Sequence, residues 1–151
     1  MNCKTSDLRC SAPRALPIML RSLSLFAALF GLVCAGIALA HLAIGPHSIP
    51  GSIPVNATMD SEDRFYATLF LGFGLAVMWT SRDLRNRSPF FVALMAVFFV
   101  GGLARIVSFV VAGPPNVFFQ AMTVLELVIP PASWLWLKAA LQRSGQKSSA
   151  N

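Results

Sequence analysis

Arg105 and Glu126 each stand inside a long run of apolar residues. A charge in such a run is costly unless it faces a partner or a polar cavity, so these two are the first candidates for binding or chemistry. Between them lies Gly113-Pro114-Pro115-Asn116, a tight turn. If both runs are helices, the turn makes them antiparallel neighbours. At 1.5 Å per residue both charges then sit roughly 10 to 14 Å below the shared end. An Arg105–Glu126 ion pair is the natural outcome. Gly101, Arg105, Ser108 and Ala112 share one stripe of the first helix, and small residues on such a stripe mark a helix–helix contact. Thr123, Glu126 and Ser133 share a stripe of the second. Pro130 and Pro131 remove the hydrogen bonds to the carbonyls of Glu126 and Leu127. The five N–H groups of a guanidinium can serve a carboxylate and a freed carbonyl together, so kink and charges are expected to form one network.

Further polar groups fall at the same level. His41 lies near the end of an earlier apolar run, and Asp63 and Arg64 open the next. The cluster His41, Asp63, Arg64, Arg105, Ser108 and Glu126 reads as a pocket for a polar or anionic head group on a lipid-like molecule, or as a seat for a partner helix. In that reading Arg105 contacts the anionic group, Glu126 holds and neutralises Arg105, and His41 and Asp63 line the mouth. A blander reading has Arg105 and Glu126 only pinning two helices together. Two further classes differ in what titrates. In a proton-coupled carrier or transporter subunit Glu126 carries the proton and Arg105 tunes it, with a homodimer making up for few spans. In a membrane enzyme acting on a lipid or quinone, His41 and Glu126 serve as acid and base. The leading expectation is non-enzymatic binding.

Other chemistry finds little support. His41 and His47 are too scattered among the cysteines and carboxylates for a metal site, and no cofactor is called for. Cys3, Cys10 and Cys34 include no CxxC pair, and three cysteines do not make a disulfide scaffold. Motifs of the GxSxG or HExxH kind and phosphate-cradling loops are missing. The net charge of +6 invites a nucleic-acid partner, but the basic residues lie between long apolar runs, which points to the lipid bilayer instead.

The elements that must position these residues follow from composition. Of 151 residues 56% are apolar and only 12% charged, about half the charge of an ordinary soluble domain. Four stretches, 22–44, 62–81, 89–112 and 117–137, are long enough to cross a bilayer of roughly 30 Å as helices. The second is the most polar at its start and includes a borrowed turn at 61–64. Ser61 is expected to cap it, Ser88 followed by Pro89 to cap the third and Asn116 the fourth. The expected fold is all-α, an integral membrane bundle of four transmembrane helices. Lys4, Arg9, Arg14 and Arg21 precede the first span, Arg82, Arg85 and Arg87 lie between the second and third, and Lys138, Arg143 and Lys147 follow the fourth. By the positive-inside rule both termini and the 82–87 loop are cytoplasmic. Trp79, Trp134 and Trp136 near the inner ends fit an interfacial aromatic belt. Residues 1–21 read as a basic leader and 138–151 as a basic, disordered tail. Ala38-Leu39-Ala40 after a basic start resembles a signal-peptide cleavage site, but the apolar run is too long for one.

The order of these pieces resembles a known family. Asp63-Arg64-Phe65, Trp79 with Arg82-Asp83, Gly101-Gly102-Leu103-Ala104-Arg105 with Ser108, Gly113-Pro114-Pro115, and Glu126 with Pro130-Pro131 are similar to domain-of-unknown-function family 4345. The resemblance covers about residues 19–143. It implies a small bacterial inner-membrane protein with four helices, and it implies no activity. The stretch before Met19 departs from that pattern, so translation is expected to start at Met19. N-terminal sequencing of the expressed protein should begin there; a chain beginning at Met1 overturns this start.

Overall fold

The computed structural model describes residues 18–149, with side chains described through Arg143. Four helices follow one another: α1 (Ile18–Ile44), α2 (Ala57–Ser81), α3 (Ser88–Ala112) and α4 (Val117–Ser149), with a short 3-10 turn (Gly45–Ser48) after α1. No strand occurs among the described residues. α1, α3 and α4 are long and apolar enough to cross a membrane. α2 is not among them, because Asp60, Glu62, Asp63 and Arg64 crowd its first turns. Large apolar side chains cover the outside of the bundle; Val110 and Val111 at the end of α3 are 81% and 80% exposed. Such a surface suits hydrocarbon rather than water.

The helices form two hairpins, α1 with α2 and α3 with α4, and contacts between the hairpins are sparser. The first hairpin closes on glycine. A Cβ on Gly31 would lie 2.6 Å from the carbonyl oxygen of Gly74, and one on Gly74 would lie 2.8 Å from the backbone nitrogen of Ala35. With Ala35 and Ala38 also buried on α1 and Ala67 on α2, small residues let the two backbones approach. The second hairpin closes on Gly102, where a Cβ would come within 3.0 Å of both Glu126 and Leu127. The contact thus runs through Gly102 and not through Gly101, which is exposed with nothing within 4 Å of an added Cβ. One residue of rotation on α3 separates the two.

Along α4 the buried positions Thr123, Glu126, Pro130, Ser133, Leu137 and Ala140 alternate by three and four, a continuous seam facing the bundle. The apolar core gathers at the end that holds the chain termini, where Leu20, Leu23, Ala27, Val77, Phe91, Met95 and Leu137 pack together. His41, Asp63, Arg105 and Glu126 lie at the opposite end.

Several boundaries differ from the sequence expectation. α2 begins a turn earlier than Ser61: the Asn56 side chain accepts from the Met59 amide at 3.0 Å, and this cap lets the helix start at Ala57 and run through Ser61. α3 takes in Ser88, with Arg87 at the cap position, and the Ser88 hydroxyl donates back to the Arg85 carbonyl. Asn116 does cap α4, accepting from the Phe118 amide at 2.9 Å. α1 starts at Ile18 rather than 22, so Arg21 belongs to the helix. α4 runs to Ser149, where a disordered tail was expected, because residues 138–143 are mostly strong helix formers. Residues 1–17 of the basic leader lie outside the described residues.

Replacing Gly74 by alanine should destabilise the protein by about 1–3 kcal/mol, since backbone atoms on both sides cannot yield. Gly72→Ala, which meets nothing within 4 Å, should melt at or above the wild-type temperature in detergent.

Candidate functional site

Between the hairpins, at the end away from the core, lies a cavity of about 420 Å³. Its size falls within the range of small-molecule pockets. Two acid–base pairs reach it from four helices. The first is the expected one. Nε of Arg105 on α3 donates to Oε1 and Oε2 of Glu126 on α4, at 2.9 and 2.8 Å. The close approach at Gly102, one turn before Arg105, brings the helices near enough for this bond. The Glu126 side chain is 7% exposed and that of Arg105 41%. Only Nε serves the carboxylate. The terminal nitrogens of Arg105 carry no hydrogen bond among the described residues, and the guanidinium carbon lies 5.5 Å from the Phe119 ring centroid. The expected bond to a carbonyl freed by Pro130 is not made. The Ser133 hydroxyl donates to the carbonyl of Pro130 itself, at 2.9 Å.

The second pair joins the two helices of the other hairpin. Nδ1 of His41, in the last turn of α1, lies 3.0 and 3.2 Å from the carboxylate oxygens of Asp63 on α2. Nδ1–H donating to the carboxylate leaves Nε2 as the second polar atom of the ring. The sequence places both residues at the mouth; that they bind each other is visible only once the α1–α2 hairpin aligns them across the connection.

Arg64 and Ser108 are not part of this cavity. Arg64 donates through Nε to Asp60 at 2.9 Å and through a terminal nitrogen to the Leu42 carbonyl at the end of α1. It is a clasp between α1 and α2. The bond from Arg64 holds the Asp60 carboxyl below its ordinary range. Gly45, at φ +60, runs so close beneath that a Cβ would meet Asp60. Ser108 is exposed on the outside of α3. The 100° step between helix positions explains it: three residues beyond Arg105, Ser108 turns away from the α4 contact that Gly102 defines.

Aromatic rings make the walls, including Phe30, Tyr66, Phe70, Phe98, Phe118 and Phe119. Phe30, Phe73 and Phe98 form a cluster, with Phe98 stacked on Phe73 at 5.6 Å and edge-on to Phe30 at 5.1 Å. Phe98 is therefore a wall of the site. Ser48 and Pro50, from the connection between α1 and α2, line the same cavity. That connection reaches the other hairpin, since Gly51 abuts the Asn116 side chain. Among the described residues, no three His, Cys, Asp or Glu side chains gather to hold a metal ion.

The family model for DUF4345, a domain of unknown function, matches residues 22–137. The chain belongs to the DUF4345 family. No curated protein and no solved structure matches it. In this DUF4345 protein the matched stretch contains both hairpin contacts and both acid–base pairs.

The pair Arg105–Glu126 should respond unequally to mutation. Arg105→Met leaves a buried carboxylate alone and approaches the roughly 3–5 kcal/mol of a broken buried pair, whereas Glu126→Leu leaves a cation that already reaches open space and costs less. The double variant Arg105→Met/Glu126→Leu should melt above Arg105→Met in detergent. Equal losses for the two single variants would show that burial does not govern the pair.

Proposed function

We propose that this protein is a four-span protein of the bacterial inner membrane, with both termini cytoplasmic, that binds a lipid-like, amphipathic ligand. One observation carries the binding reading: the two acid–base pairs open on a single cavity whose remaining walls are mostly aromatic and aliphatic. A polar end is matched by hydrogen-bonding groups and an apolar body by rings, the usual division in small-molecule sites. A clamp needs only the Arg105–Glu126 contact. It does not need a second pair across the same space, or a guanidinium with two nitrogens left over. α2 is the fourth span in this reading, because it lies along α1 in a glycine-lined contact and its charged turns sit at one end. Orientation rests on Arg82, Arg85, Arg87 and Lys138, which cluster at the termini end. There Arg87 and Lys138 each lie 4.0 Å from a tryptophan centroid, over Trp79 and Trp134 respectively. Such cation–ring pairs suit a headgroup layer on the cytoplasmic side.

Alkaline phosphatase fused after Asn56 should be active and after Asn86 inactive; the reverse pattern overturns the orientation. Native mass spectrometry should find a defined small molecule on the wild type and on Gly72→Ala. The folded double variant Arg105→Met/Glu126→Leu should lack it. Retention of the same molecule by the double variant overturns the binding reading.

A further inference from the structure

We infer that the ligand carries an uncharged head group, a hydroxyl or carbonyl, and that it reaches the site from the bilayer through a gap between α2 and α3. This rests on the binding reading above and adds the charge of the ligand and its route.

Charge comes first. Two carboxylates, Asp63 and Glu126, line the cavity with one guanidinium, Arg105, and one imidazole, His41. Glu126 already balances Arg105. With His41 neutral the four groups sum to −1, and with His41 protonated to zero. Neither state leaves the surplus positive charge that would repay the desolvation of a phosphate or carboxylate. What the site does offer is hydrogen bonding: the terminal nitrogens of Arg105 as donors and the His41 ring nitrogen opposite Asp63. A hydroxyl or carbonyl uses these groups without adding a charge.

The route follows from a second cavity of about 430 Å³, which shares Phe70, Phe98, Arg105 and Glu126 with the first. It continues past Leu69, Val97 and Gly101. Leu69 and Val97 are 57% and 65% exposed on the outer surface of the bundle. Gly101 leaves the passage open, since a Cβ there would meet nothing within 4 Å. α2 and α3 also touch each other sparsely, unlike the helices within each hairpin. A slot thus joins Arg105 to the apolar exterior. A single-chain amphiphile can place its head at Arg105 while its chain lies along Phe70 and out past Gly101. Its chain never has to cross water.

The test uses the full-length protein in phosphatidylcholine nanodiscs with three radiolabelled probes of equal chain: monooleoylglycerol, oleic acid and oleoyl-lysophosphatidic acid. Monooleoylglycerol should bind at least about tenfold tighter than either anion. Gly101→Phe should slow its association about tenfold, while Gly72→Ala, which lines neither cavity, stays near the wild-type rate. Anions that bind as tightly as monooleoylglycerol, or tighter, overturn the uncharged head. Unchanged association in folded Gly101→Phe overturns the route. Both of those outcomes leave the binding reading standing, whereas a wild type that takes up none of the three probes overturns that reading as well.

Discussion

A carboxylate cannot be carried into an apolar seam alone, and much of this bundle is arranged around that constraint. Glu126 occupies a seam position of α4 that Thr123, Ser133 and Leu137 otherwise fill with small or apolar groups. Its burial requires a cation from the neighbouring helix, and Arg105 reaches it only because Gly102 lets α3 come close. The guanidinium in turn needs room, since two of its three nitrogens are not used by the carboxylate. The room is the space between the two hairpins. Cavity, ion pair and close helix contact are therefore one arrangement rather than three.

The two ends of the bundle divide the labour. At the termini end Leu20, Leu23, Phe91 and Leu137 interdigitate and hold the hairpins together. At the other end aromatic rings and paired charges face each other across a gap. Binding sites built this way borrow rigidity from a packed base and keep their adaptable part near the surface.

Much of this was readable from residue types and spacing, for identifiable reasons. Arg105 and Glu126 could be paired from sequence because a four-residue turn fixes how two helices run side by side. The stripe of Thr123, Glu126 and Ser133 followed from helical periodicity alone. The His41–Asp63 pair was hidden, because the connection between α1 and α2 is long and irregular and gives no register. Arg64 and Ser108 were misplaced for a related reason: a helical face is known only to within a residue or so until its contacts are seen, and one position turns a side chain by 100°. The Gly31–Gly74 contact had a signal in Ala27, Gly31 and Ala35, small residues four apart, but glycines scattered through apolar runs are common enough to hide it. Phe98 carried no distinguishing mark among its phenylalanine neighbours.

The corner where α1 hands over to α2 has an electrostatic consequence of its own. The C-terminal pole of one helix meets the N-terminal pole of the next, partial negative charge against partial positive. His41 and Arg64 stand at the negative pole, and Asp60 and Asp63 at the positive one. His41 bonds Asp63 across the corner, and Arg64, held to Asp60 within α2, reaches across it to the Leu42 carbonyl. The corner is therefore neutralised by residues of the helices themselves, and the irregular residues 49–55 that join them contribute none of that balance. Composition in that stretch is left to answer to other demands, such as the way Ser48 and Pro50 just before and within it border the cavity.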